Sequence, residues 1–206
     1  MLYSILHAIF RLAFKILFRW EVCGLENVPR SGGVILAPNH SSFLDPVLVG
    51  TSLPRKVYFL TRSSLFHPPP WAWFLRRLHT VPVERDKPGP SSIKKILRLL
   101  NSGRIILMFP EGTRGSGRAL GQAKGGVGMM ALKSGLPVVP VYISGAARIL
   151  PKGARMIRPR KVKIVYGSAL RFPPDAGRPR TKEEFYRIGN QVLREIAALR
   201  NQLESG

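Results

Sequence analysis

Histidine is the side chain that titrates nearest neutral pH, which makes it the natural general base of an enzyme working there. In this chain His40 stands in the run Pro38-Asn39-His40-Ser41-Ser42-Phe43-Leu44-Asp45-Pro46. A carboxylate bonded to the far ring nitrogen would fix the tautomer. It would also stabilise the imidazolium formed when the near nitrogen takes a proton. His40 and Asp45 are therefore a candidate catalytic pair. Their spacing is not a same-face spacing on a regular helix, so contact requires a loop-to-helix junction that folds back. The same residues have a plainer reading, with Asp45 as a helix N-cap and Pro46 at the first helical position.

A second run, Pro110-Glu111-Gly112-Thr113-Arg114-Gly115-Ser116-Gly117-Arg118, is followed by Lys124-Gly125-Gly126. Glycines let backbone N–H groups approach an anion, and arginine grips phosphate in bidentate fashion. The alternative is a flexible, solvated basic loop. Two other patterns lead nowhere. Gly126-Val127-Gly128-Met129-Met130-Ala131 has the letters of a dinucleotide fingerprint but follows a polar loop instead of a strand. The Gly-x-Ser-x-Gly elbow of common serine hydrolases is missing from the sequence.

These residues need a scaffold. Compact apolar runs bounded by Gly, Pro or Asn predict strands at Trp20–Cys23, Val34–Ala37, Lys56–Leu60, Thr80–Val83, Ile105–Phe109, Val138–Ile143 and Lys161–Tyr166. Helical patterns fall between them. Ser92–Asn101 carries one apolar face, Gly126–Ser134 is a shorter helix, and a last helix opens with the capping pair Thr181 and Glu184. The alternation predicts an α/β fold, a mostly parallel or mixed central sheet flanked by helices. Ligand sites in such sheets collect beyond the carboxyl ends of strands, where both reactive runs begin. The stretches Lys87–Pro90 and Pro173–Pro179 read as surface loops.

At 206 residues, 45% of them hydrophobic, the chain suits one domain with a sizeable core. The single cysteine, Cys23, excludes an internal disulfide or a zinc cluster and reads as a small buried residue. Thirty-three Lys and Arg against eleven Asp and Glu give a net charge of +22, a surface for polyanions. Nucleic acid is one such partner, but no recognition-helix, RNA-binding-sheet or zinc pattern accompanies the charge. An anionic bilayer is another. The opening segment, residues 1–19, is mostly apolar, with His7, Arg11, Lys15 and Arg19 recurring every four residues. Charges in its middle disfavour a spanning helix, and a helix lying in the membrane interface avoids that cost. The segment Pro68-Pro69-Pro70-Trp71-Ala72-Trp73-Phe74-Leu75-Arg76-Arg77 is a second candidate contact.

Four blocks stand in order: Asn39-His40-x-x-x-x-Asp45, Val83-Glu84-Arg85, Phe109-Pro110-Glu111-Gly112-Thr113-Arg114 and Val138-Val139-Pro140-Val141. This series resembles the glycerolipid acyltransferase family, in particular its bacterial 1-acyl-glycerol-3-phosphate branch. The resemblance implies an acyltransferase domain over residues 20–206 and an appended amphipathic helix over residues 1–19. It implies His40 as general base, with Asp45 orienting it. Acceptor binding would fall to Arg85, Glu111, Gly112, Thr113 and Arg114, with Lys124 beside them, and Val138–Val141 would line the site near the donor. The implied reaction passes a fatty acyl group from a coenzyme A or acyl carrier protein thioester to a lysophospholipid hydroxyl. It needs no cofactor and no nucleic acid, at the cytoplasmic face of the cell membrane. Glycerol 3-phosphate and a lyso-aminolipid are the alternative acceptors.

Overall fold

All seven apolar runs are strands, and the reason is visible in their side chains. In β2 (Val34–Pro38), Val34 and Leu36 pack on one face of the sheet while Ile35 and Ala37 pack on the other. A strand buried on both faces has no polar side, so it appears in sequence as an unbroken apolar run. β5 (Ile105–Leu107) and β6 (Val138–Ser144) follow the same rule. The other four strands are β1 (Glu21–Cys23), β3 (Val57–Arg62), β4 (Thr80–Val83) and β7 (Lys163–Tyr166). This computed structural model describes residues 2–67, 69–84, 89–115, 119–150, 156–172 and 181–205. The predicted loop at 173–179, and residues 87 and 88 of the other, lie outside them.

The seven strands form one sheet in the order β1-β7-β6-β2-β5-β3-β4. Only β6 and β7 run antiparallel, so the sheet is mixed. β2 lies at its centre between β6 and β5, and the chain leaving β2 passes over β5 to reach β3. β1 is an edge strand, and this corrects the expectation for Cys23: its side chain faces outward and is exposed.

Helices cover both faces. On one lie α1 (Leu2–Phe18) and α2 (Asp45–Ser52), contributing Phe14, Phe18, Leu48 and Val49 to the core. On the other lie α4 (Pro90–Asn101), α5 (Gly126–Ser134) and α7 (Lys182–Ser205). α3 (Pro69–Arg77) follows β3, and α6 (Ala146–Ile149) follows β6. The start of α7 is capped as its letters predict, the Glu184 N–H donating to Thr181 Oγ1 at 3.3 Å. Gly128 of the false dinucleotide pattern has a packing role. A Cβ there would stand 2.1 Å from the Phe185 carbonyl oxygen, so its absence lets α5 close on α7.

α1 is tied to the domain along one side. His7 Nε2–H donates to the Leu53 carbonyl at 2.9 Å, and the Tyr3 hydroxyl accepts from the Val57 N–H at 3.2 Å. The Tyr3 ring meets His79 edge-on at 4.8 Å. Burial raises the Tyr3 hydroxyl above its ordinary value and, with Lys56 and Arg104 nearby, lowers the His79 imidazole. No helix among the described residues is long and apolar enough to cross a membrane.

At the amino ends of the central strands one guanidinium ties two turns together. Arg55 donates to the carbonyls of Pro29 and Gly32, each at 2.6 Å, and of Gly103 at 2.8 Å. Removing a charged donor that serves three carbonyls costs about 2–3 kcal/mol. Arg55→Ala is therefore expected to lower Tm by roughly 5–10 °C, with Arg55→Lys recovering little. An unchanged Tm by scanning calorimetry would contradict this assignment.

Candidate active site

β2 and β5 run parallel, with Leu36 beside Leu107. His40 and Glu111 each follow four residues after that pair, so the register alone delivers them to one place. What lets the chain turn there is Asn39. Its backbone N–H still bonds to the Val141 carbonyl of β6 at 3.2 Å. Its side-chain amide then stands in for the next peptide of the ladder. Oδ1 accepts from the Ile143 N–H at 2.7 Å, and Nδ2 donates to the Ile143 carbonyl at 3.2 Å. β6 stays satisfied while the main chain leaves the sheet at His40.

The chain then folds back through Ser41–Leu44 into α2. Asp45 is the first residue of that helix and is wholly buried. Its carboxylate does not cap the helix but points back into the loop. Oδ2 accepts the His40 Nδ1–H at 2.9 Å and the Ser41 and Ser42 N–H groups, each at 2.7 Å. The folded-back junction that His–Asp contact requires is thus built by the aspartate itself. A further restraint acts on the imidazole, which is 8% exposed. Phe109 stacks flat on it, with ring centroids 3.6 Å apart and planes 13° from parallel. With Nδ1–H committed to Asp45, the lone pair of a neutral ring lies on Nε2, where it can take a proton.

The second loop holds the first. Glu111 is 5% exposed. Its Oε1 accepts the His40 backbone N–H at 3.0 Å, and its Oε2 accepts the Gly121 N–H at 2.7 Å. On the other side of the same residue, the Gly115 N–H donates to the His40 carbonyl at 2.8 Å. Gly112 makes the intervening turn at φ +67, bonding back to the Phe109 carbonyl at 3.0 Å. A Cβ on Gly112 would fall 2.9 Å from Lys124 Cγ, so the glycine admits the lysine stem across the turn. Arg114 is exposed, its guanidinium carbon 3.3 Å above the centre of the Phe43 ring.

The structure therefore brings together His40, Asp45, Glu111, Gly112, Arg114 and Lys124, with Thr113 exposed on the same turn. Arg85 lies outside the described residues, as do Ser116, Gly117 and Arg118. The side chains of Val138, Val139 and Val141 are packed in the two cores. What β6 offers the site is the Ile143 backbone that holds Asn39. Three contributors escaped sequence reasoning: Phe109 against the imidazole, Phe43 under the arginine and the ladder-mimicking side chain of Asn39. An aromatic residue at each of the first two positions was legible, but its partner was not.

Comparison with known proteins identifies the family. The chain matches the family described as acyltransferase over residues 19–144. It is 31% identical, over 89% of its own length and 89% of the relative's, to a 1-acyl-sn-glycerol-3-phosphate acyltransferase of Bacillus subtilis. A chloroplastic 1-acyl-sn-glycerol-3-phosphate acyltransferase of Brassica napus is also 31% identical, over 81% of this chain, which spans 51% of that longer protein. The crystal structure of a 1-acyl-sn-glycerophosphate acyltransferase from Thermotoga maritima superposes with a TM-score of 0.75 at 27% identity, covering 96% of this chain and 79% of that one. With the matched region running from β1 through β6 and enclosing both reactive loops, this chain belongs to the acyltransferase family.

Proposed function

We propose that the protein transfers a fatty acyl group from an acyl thioester to the sn-2 hydroxyl of 1-acyl-glycerol 3-phosphate, forming phosphatidate. The observation that carries this reading is the buried His40–Asp45 pair, tied through Glu111 and Gly115 to a turn that presents Arg114 and Lys124. The names carried by the relatives support the choice of acceptor. The acyl donor is a thioester of acyl carrier protein or coenzyme A, and the reaction needs no cofactor.

His40 acts as general base. Nε2 takes the proton of the acceptor hydroxyl as that oxygen forms a bond to the thioester carbonyl carbon. The tetrahedral adduct collapses with cleavage of the carbon–sulfur bond. The leaving sulfur then takes the proton back from the imidazolium, so ester and thiol are released and no acyl-enzyme forms. While protonated, the imidazolium is paired with the Asp45 carboxylate and faces the π-cloud of Phe109, and both interactions favour the charged ring. Arg85, Thr113, Arg114 and Lys124 seat the acceptor phosphate. Gly112 keeps the turn open for the lysine, and Glu111 fixes the loops around the acceptor.

On this reading His40→Ala lowers kcat by roughly 10³-fold or more without a large change in Tm. A variant turning over at near-wild-type rate would remove the base from the mechanism. Arg114→Ala raises the KM of the acceptor about tenfold or more and leaves the donor's KM within about twofold of wild type. If only the donor's KM moved, the phosphate assignment would be wrong.

The reading extends to the membrane that holds the acceptor. Ile5, Ile9, Leu12 and Ile16 recur at helical spacing on α1 and are all exposed, while Phe14 and Phe18 face the core. Arg11, Lys15 and Arg19 are exposed beside them. A helix with an outward apolar stripe and a cationic flank is suited to lie in an anionic bilayer surface. We assign residues 1–19 as a peripheral anchor on the cytoplasmic face of the cell membrane, serving the acyltransferase domain of residues 20–206. Trp73, exposed on α3 with Arg77 4.8 Å over its ring, is a second contact.

Deleting the helix would strip Phe14 and Phe18 from the core, so the sharper test replaces only its outer stripe. Ile9→Glu, Leu12→Glu and Ile16→Glu together are expected to weaken binding to phosphatidylglycerol vesicles by at least about tenfold, with little change in Tm. Unchanged co-sedimentation would exclude α1 as the anchor.

A further inference from the structure

Phe43 is a large apolar side chain, 61% exposed, in the loop between His40 and Asp45. Its neighbours are held in place. The Ser42 N–H is bound by Asp45 at 2.7 Å, the Leu44 N–H by Ser42 Oγ at 3.3 Å, and the Leu44 side chain packs on the core. The ring therefore rises from a fixed base into solvent. The guanidinium of Arg114 lies over it, its carbon 3.3 Å from the ring centroid. The residue after Arg114 is fixed as well, the Gly115 N–H being bonded to the His40 carbonyl at 2.8 Å. Two anchored backbones thus converge on a stack between a cation and an aromatic face.

We propose that Phe43 is a positioning residue for the acceptor phosphate: its ring is the platform that sets Arg114 in the orientation in which it grips the anion beside His40. The inference rests on the reading of Arg114 as a phosphate ligand. A guanidinium stacked on a ring engages the aromatic with its π-face and keeps the N–H groups along its edge for oxygen acceptors. Stacking therefore removes rotamer freedom from the arginine without using up its donors. An exposed arginine loses that freedom when it binds a ligand, and an arginine already resting on a ring has lost part of it beforehand. Because Phe43 belongs to the same loop as the base, the platform also ties the position of the phosphate to that of His40 Nε2. A lysine at 114 would not share this geometry, since an ammonium has no plane to stack.

The test measures KM for 1-oleoyl-lysophosphatidate in mixed micelles, with kcat at saturating acyl thioester, for the whole chain and four variants: F43L, F43W, R114A and the F43L/R114A pair. Leucine keeps the apolar bulk and removes the ring face, whereas tryptophan keeps a face. F43L is expected to raise the acceptor KM about fivefold, with kcat and Tm near wild type, and F43W to stay near wild type in all three. In the R114A background F43L should add nothing, because the platform then has nothing to hold. If R114A raises the KM and F43L does not, the platform is wrong while the phosphate role of Arg114 stands. If R114A leaves the KM unchanged, the reading of Arg114 falls and the platform with it. If F43L has its full effect in the R114A background, Phe43 acts on its own, as a bilayer or acyl-chain contact, and the proposal is overturned.

Discussion

The peptide of His40 is held from both sides by one neighbouring loop. Its N–H lies on the Glu111 carboxylate and its carbonyl on the Gly115 N–H. That grip exists because β2 and β5 are adjacent and parallel, so the loops leaving them emerge side by side. A strand-to-loop transition normally gives up definition, since the ladder ends and the backbone must find new partners. Here the partners of the His40 backbone come from the other loop, Asn39 is held by β6, and the Ser41 and Ser42 amides are taken by Asp45. The imidazole is then oriented from a backbone as well fixed as the sheet beneath it.

Two carboxylates are buried in this assembly, and burying charge is costly unless hydrogen-bond donors compensate it. Asp45 takes three on one oxygen, and Glu111 takes one on each. Four of these five donors are main-chain amides, which the fold supplies in any case and which cannot swing away. The acids thus differ in purpose. Asp45 touches the imidazole and governs its tautomer, whereas Glu111 touches only backbone and governs where the histidine residue stands. Arg114 and Lys124, by contrast, reach solvent with their positive charge. Such preorganisation spends folding energy in advance so that little rearrangement accompanies reaction.

The sheet was legible in sequence because both of its faces are covered, which turned each central strand into a compact apolar run such as Ile105–Leu107 or Val138–Ile143. β1, at the edge, obeys a different rule, and so Cys23 proved exposed. α3 escaped the residue-by-residue reading because Pro69 and Pro70 begin it with the letters of a loop; proline is tolerated in a first helical turn. At the site, the pair His40 and Asp45 was visible as a spacing, but the contact between them depends on three hydrogen bonds to one oxygen, which no spacing encodes. Glu111 was picked out by resemblance as an acceptor-binding residue, and its bracing of the His40 peptide emerged only in three dimensions. The stacks of Phe109 on His40 and of Arg114 on Phe43 join separate loops through aromatic faces, a kind of contact that leaves no periodicity in the chain.

The proposed reaction depends on an imidazole activating the hydroxyl of a membrane lipid that carries a phosphate. The most direct measurement offers the purified protein lysophosphatidate, glycerol 3-phosphate and a lyso-aminolipid in parallel, each with acyl-coenzyme A and acyl carrier protein thioesters, and identifies the products by mass spectrometry. The predicted result is phosphatidate with the new ester at the sn-2 position, formed from lysophosphatidate far faster than any product from the other acceptors. Acylation of a different acceptor in preference, or release of free fatty acid with no ester formed, would contradict it.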